Sequence, residues 1–142
     1  MNAVTTDFHT MTDYHGNSIV LRHCDAIAAR TRFDADLSAT KLPDLNCAIV
    51  FVNAFWSGPS LAALHDLADI IYELDSSSAL SLIVCDIDRV PLLADTAWDL
   101  HTTGGIGEMA WICDGKIVAR HHGPHRCDIR VTTRSLLANC SI

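Results

Sequence analysis

The sequence predicts an α/β domain built on a mixed sheet, and three observations carry that reading. Two β-rich apolar runs, residues 47 to 55 and 79 to 88, have the composition of strands buried on both faces. Between them, residues 60 to 74 carry a helical apolar stripe, with Leu61, Leu64, Leu67, Ile71 and Leu74 on one side and Asp66, Asp69 and Glu73 off it. Asp114-Gly115 separates two short strand patterns, the strongest hairpin signal in the chain. A helix that joins two apolar strands makes them a parallel pair, and the hairpin adds an antiparallel one. The expected architecture is therefore a mixed central sheet flanked by helices on both faces.

Residues 1 to 17 are polar and aperiodic and read as a loosely held extension, with residues 18 to 142 forming a single domain. Ile19 to Phe33 begins apolar and continues CDAIAARTRF, a pattern that fits a strand and then a helix without deciding the matter. KLPDLN (41 to 46) and Ser76-Ser77-Ser78 are short loops. The second apolar run stops near Pro91; Leu92 to Leu100 fits a short helix and TTGGIG (102 to 107) a loop. Met109 to Cys113 and Lys116 to His121 are the hairpin strands. Asp128 to Asn139 closes the chain as a helix with Ile129, Thr133, Leu136 and Leu137 on one face.

Composition excludes several function classes. A chain of 142 residues fits one domain, and 49% hydrophobic with 19% charged residues is too apolar for disorder. No apolar run approaches the roughly 18 residues of a membrane span. A net charge of −7 with only two lysines argues against nucleic acid, whose phosphates need clustered Lys and Arg. The N-terminal segment lacks the basic, apolar and small-residue regions of a secretory signal, so a cytoplasmic location with reduced thiols is expected.

Phe55-Trp56-Ser57-Gly58-Pro59-Ser60 lies at the junction between the first apolar strand and the helix. That element order and that motif resemble the thioredoxin family, whose pattern there is an aromatic-lined strand end, Trp-Cys-Gly-Pro-Cys and a helix. Further positions match over residues 45 to 140: the Ile87-Asp88 pair with Pro91, the Gly105-Ile106 approach to the family's cis-proline loop, the Asp114-Gly115 turn, and Gly123 before the last helix.

The resemblance implies two cysteines at the positions of Ser57 and Ser60. A serine hydroxyl forms no disulfide, so dithiol–disulfide exchange is impossible at this motif. The resemblance also implies a buried acid, a lysine and a cis-proline where this chain has Phe51, Val84 and Gly107. Their joint absence favours a naturally non-redox member over an enzyme silenced at two positions. Ser57 as a nucleophile would need a nearby base. His65 lies two helical turns on and His101 would have to approach from a loop, so the simpler reading is that a serine caps the helix.

His121, His122, His125 and Cys127 are weak metal-ligand candidates, and a solvated loop is the simpler reading of that segment. Cys47 and Cys85 read as core residues. Cys113 borders the hairpin, Cys24 has no clear place, and Cys127 and Cys140 lie too far apart along a helix to bridge. The expectation is a non-redox, cofactor-free protein that binds a protein or peptide through Trp56, Pro59, Gly105, Ile106 and Gly107, or serves in assembly. The alternative is a thiol–disulfide oxidoreductase, either one with Ser57 and Ser60 in place of cysteines or one using a remote cysteine.

Overall fold

The structure is a computed structural model that describes residues 8–90, 93, 96–100, 104–123 and 125–140, with side chains described from residue 16 onward. Helices α1 (Phe8–His23), α2 (Gly58–Leu74) and α3 (Arg126–Asn139) accompany strands β1 (Thr31–Phe33), β2 (Cys47–Asn53), β3 (Ser81–Asp86), β4 (Glu108–Cys113) and β5 (Lys116–His122). The sheet order is β1-β3-β2-β4-β5. β3 runs parallel to both β1 and β2, and β4 runs antiparallel to β2 and to β5. The mixed sheet expected from the sequence is thus observed.

Every residue of the central strand β2 is buried, which is why its sequence is continuously apolar instead of alternating. On one face Ile49, Phe51, Leu82, Val84, Met109 and Trp111 pack beneath α2, with Val20 of α1 and Ile129 and Leu136 of α3 in the same cluster. The other face presents Val50, Val52, Ile83, Cys85, Ala110 and Ile112 to Leu37, Val90, Leu93, Trp98 and Leu100. All three described helices contribute to the first cluster. The helix expected over 92 to 100 falls partly on residues 92, 94 and 95, outside the described residues, and Thr96 to Asp99 is a turn closed by the Asp99 amide on the Thr96 carbonyl.

The structure bears on two early expectations. The boundary between a loose extension and a domain at 17/18 falls inside α1, which begins at Phe8. Gly16 lets α1 approach β1 closely: a Cβ there would stand 2.7 Å from the Phe33 ring. The segment from 19 to 33, whose pattern fits a strand and then a helix without deciding the matter, is the end of α1, then a 3-10 turn (Asp25–Arg30), then β1.

The hairpin forms at the expected place. Asp114 and Gly115 have φ of 52° and 79°, the paired positive values that a two-residue turn matching strand twist requires.

Candidate functional site

The end of β2 and the start of α2 build the site. Ser57 is the N-cap of α2, its hydroxyl accepting the Ser60 amide at 3.3 Å, and Pro59 occupies the first turn, where no amide donor is needed. The helix-capping reading of this serine therefore holds. Ser60 is fully buried; its hydroxyl donates to Asn53 Oδ1 at 2.6 Å and accepts the Ala54 amide at 2.9 Å. Replacing Ser60 by alanine strands both partners in the interior. Ser60→Ala is expected to cost about 1–3 kcal/mol of unfolding free energy in a urea titration, more than Ser57→Ala at about 1 kcal/mol.

Trp56 projects outward at 64% exposure. Its position is nevertheless fixed, because Nε1 donates to Asp88 Oδ2 at 3.0 Å and a Cβ on Gly105 would lie 2.5 Å from the ring. The loop from Gly104 to Gly107 thus lies against both Trp56 and the sheet end. Gly107 has φ of 94°, and a Cβ there would meet the Phe51 ring at 2.9 Å and Ala63 at 3.1 Å. Its peptide bonds are trans. Phe51 and Val84 are both fully buried and apolar. The structure brings Trp56, Gly105 and Gly107 together, with Pro59 exposed on the adjoining helix turn and Ile106 half-buried.

No protein-family model matches the chain, and no curated protein matches it. Solved structures do match. Mitochondrial thioredoxin 3 of Saccharomyces cerevisiae superposes with a TM-score of 0.60 at 15% identity, over 78% of this chain and 98% of that one. The fold is that of the thioredoxins. Malassezia sympodialis thioredoxin aligns with a TM-score of 0.59 at 10% identity (74% and 89% of the two chains), and chloroplastic thioredoxin z with 0.56 at 19% identity (78% and 96%).

Within this thioredoxin fold the six cysteines are free thiols. Burial pushes Cys24 up to about 12 and also raises Cys47, Cys85 and Cys140. Cys113 is pushed up to about 11, chiefly by its hydrogen bond with Cys140. These five thiols are therefore protonated at neutral pH, which is the opposite of what a thiolate nucleophile needs.

His65 faces Asp69 at 3.6 Å and meets the His23 ring edge-on, so it serves neither serine; His101 lies outside the described residues. His121, His122 and His125 form a ring cluster in which the His121 centroid lies 5.5 Å from His125 and 6.2 Å from His122. Burial lowers His121, while Cys127 is exposed. These four residues do not make a close donor set. Among the described residues, three donor atoms converge within 4.8 Å only at Cys113, Asp114 and Cys140.

Three residues were not read as site residues from the sequence. Asn53 and Asp88 anchor Ser60 and Trp56; Asp88 entered the sequence reading only as part of the family's Ile-Asp pair, and Asn53 only as a polar residue within an apolar run. Glu108 is the third: it is 3% exposed directly after Gly107, and neither carboxyl oxygen has a well-formed partner among the described residues. Burial pushes its carboxyl up from 4.5 to about 7, offset only partly by the nearby amides of Ile106 and Glu108.

Between those two pH values the folded chain holds a proton that the unfolded chain releases. This contribution to stability is therefore full below about pH 4.5 and is lost as pH rises through about 7. Its slope is at most about 1.4 kcal/mol per pH unit, and screening limits the total to about 2–3 kcal/mol. Urea unfolding at pH 5 and pH 8 is expected to show this decline in the wild type and its loss in Glu108→Gln.

Proposed function

We propose that this chain is a non-redox thioredoxin-fold protein that binds an extended protein segment against Trp56, Pro59 and the backbone of Gly105 to Gly107. One observation carries the reading: Trp56 is 64% exposed yet held by Asp88 and Gly105. An immobilised aromatic face offers apolar area without the entropy of ordering it on binding, and the adjoining loop backbone offers the donors and acceptors an extended segment uses.

The oxidoreductase alternative has less support. Serine occupies both motif positions, Ser60 is committed to two buried hydrogen bonds, and five of the remaining thiols are held protonated. We read the region from α1 to the C-terminus as one domain, because Val20 and Cys24 join the cluster of α2 and α3. Among the described residues no helix is long and apolar enough to cross a membrane, and we retain a cytoplasmic location and a protein without an organic or redox cofactor as parts of the proposal.

A peptide array probed with the labelled chain would select extended ligands, which are then titrated while amide shifts of residues 104 to 107 are followed. The expected result is saturable shifts there and at least about tenfold weaker binding by Trp56→Ala. Equal binding by that variant would sink the proposal. In parallel, insulin reduction by dithiothreitol is expected to run no faster with the chain than without it, and acceleration would favour the oxidoreductase instead.

A further inference from the structure

At the far end of β2 from Trp56, about 20 Å along the strand, the fold gathers three cysteines that are widely separated in sequence. Cys47 opens β2 and is the direct cross-strand partner of Cys113 at the end of β4. Cys140 is the C-cap of α3, and its thiol converges on that of Cys113. Cys140 Sγ also donates to the Asn46 carbonyl at 2.8 Å, and Cys113 Sγ donates to Asp114 Oδ2 at 3.8 Å.

The backbone holding these groups is braced. The Asp114 and Gly115 amides each donate, at 2.7 Å, to the carbonyls of Asn46 and Leu45, tying the hairpin turn to the entry of β2. Cys47 and Cys140 are buried and Cys113 is half-buried beside them.

We propose that Cys47, Cys113 and Cys140, together with the Asp114 carboxylate, form a binding site for a soft divalent cation of the zinc class. Spacing and chemistry both point there. A tetrahedral ion with bonds of about 2.3 Å to sulfur and about 2.1 Å to oxygen requires donors about 3.6–3.8 Å apart. The donor atoms of Cys113, Asp114 and Cys140 lie within 4.8 Å of one another; Cys47, outside that set, would turn toward the ion from the entry of β2 to complete the four ligands.

Three thiols and one carboxylate are also the donor set that such an ion prefers over Mg²⁺ or Ca²⁺, which take oxygen. Binding replaces each S–H bond with an S–metal bond and releases the proton to solvent, so no oxidant or reductant is involved. The ion would join the end of α3 to the entry of β2 and the hairpin, which the backbone already ties to each other.

The test uses the full chain, reduced and stripped of metal, titrated with Cd²⁺ while thiolate-to-metal charge-transfer absorption is followed, and separately with Zn²⁺ by calorimetry. One equivalent per chain is expected, with absorption for three thiolates and a higher unfolding temperature with Zn²⁺ than with chelator. Cys140→Ser and Cys113→Ser should each weaken binding at least about tenfold. The exposed Cys127→Ser should leave it unchanged.

Because the first measurement uses the unaltered chain, a variant that fails to fold does not decide the outcome. Absence of a stoichiometric Cd²⁺ signal in the reduced wild type overturns the proposal, as does a signal that survives loss of both Cys113 and Cys140. A Cys113–Cys140 disulfide in a chain whose reduced form has no metal affinity overturns it too.

Discussion

Trp111→Ala is expected to lower the unfolding free energy by about 3–5 kcal/mol, the range for truncating a fully buried large aromatic side chain. Trp111 has no exposed surface and lies on the helix-covered face of β4. Its Nε1 donates to Thr133 Oγ1 of α3 at 3.1 Å, and its ring meets His121 edge-on at 6.4 Å. Removing the indole opens a cavity between sheet and helix and leaves the buried Thr133 hydroxyl without this partner.

Trp111→Phe separates the two effects: it keeps most of the volume and loses the hydrogen bond, for an expected cost of about 1–2 kcal/mol. Urea unfolding gives both numbers. Amide exchange in α3 should accelerate more than in β2 in Trp111→Ala, because α3 depends on this contact while β2 is paired on both sides. A loss below about 1 kcal/mol for Trp111→Ala would mean that the helix collapses onto the sheet and fills the space.

Legibility in the sequence followed from how each element meets its surroundings. β2 and β3 were readable because strands shielded on both faces need apolar residues throughout, and α2 because one face meets the sheet while Asp66, Asp69 and Glu73 do not. β1 was unreadable for the converse reason. It is three residues at the sheet edge, and its Thr31 and Arg32 side chains bond locally, to the Ile27 carbonyl and to Thr40.

Among the described side chains of α1 it is Val20 that joins the core cluster, while the sequence before it is polar and aperiodic and shows no apolar stripe. The site was legible where function depends on adjacent residues, as in the capping of α2 by Ser57. It was illegible where function depends on long-range register. Nothing in the sequence places Gly105 against Trp56 except the family resemblance, and the pairing of Cys47 with Cys113 exists only once β2 and β4 are aligned. Cys47 read as a core residue, Cys113 as bordering the hairpin and Cys140 as lying at the last helix, and only the folded register brings these chain-distant thiols to one end of the sheet.

The same logic gives Asp75 a large role. It follows the last residue of α2 and is 3% exposed, yet its carboxylate is fully used. Oδ2 accepts from Arg30 Nη1 at 2.7 Å and from the Leu80 amide at 2.8 Å, while Oδ1 accepts from the Ser77 hydroxyl at 3.0 Å and the Ala79 amide at 3.3 Å. One side chain thus joins the end of α2, the entry to β3 and the turn before β1. Asp75→Ala removes all four acceptor contacts at once and leaves the Arg30 guanidinium, itself only 13% exposed, beside the Asp75 carbonyl alone.

Removing one partner from a buried pair costs about 3–5 kcal/mol, and that is the expected loss. Asp75→Asn keeps an acceptor for Leu80 and should lose roughly half as much. In an Arg30→Met background the penalty for Asp75→Ala should shrink by at least about 1 kcal/mol, since the stranded charge is gone. Added salt should change these values little, because the pair is shielded from solvent ions. If the penalty is the same with and without Arg30, the carboxylate acts through the Leu80 and Ala79 amides, and the ion pair contributes nothing measurable to the anchoring of β1.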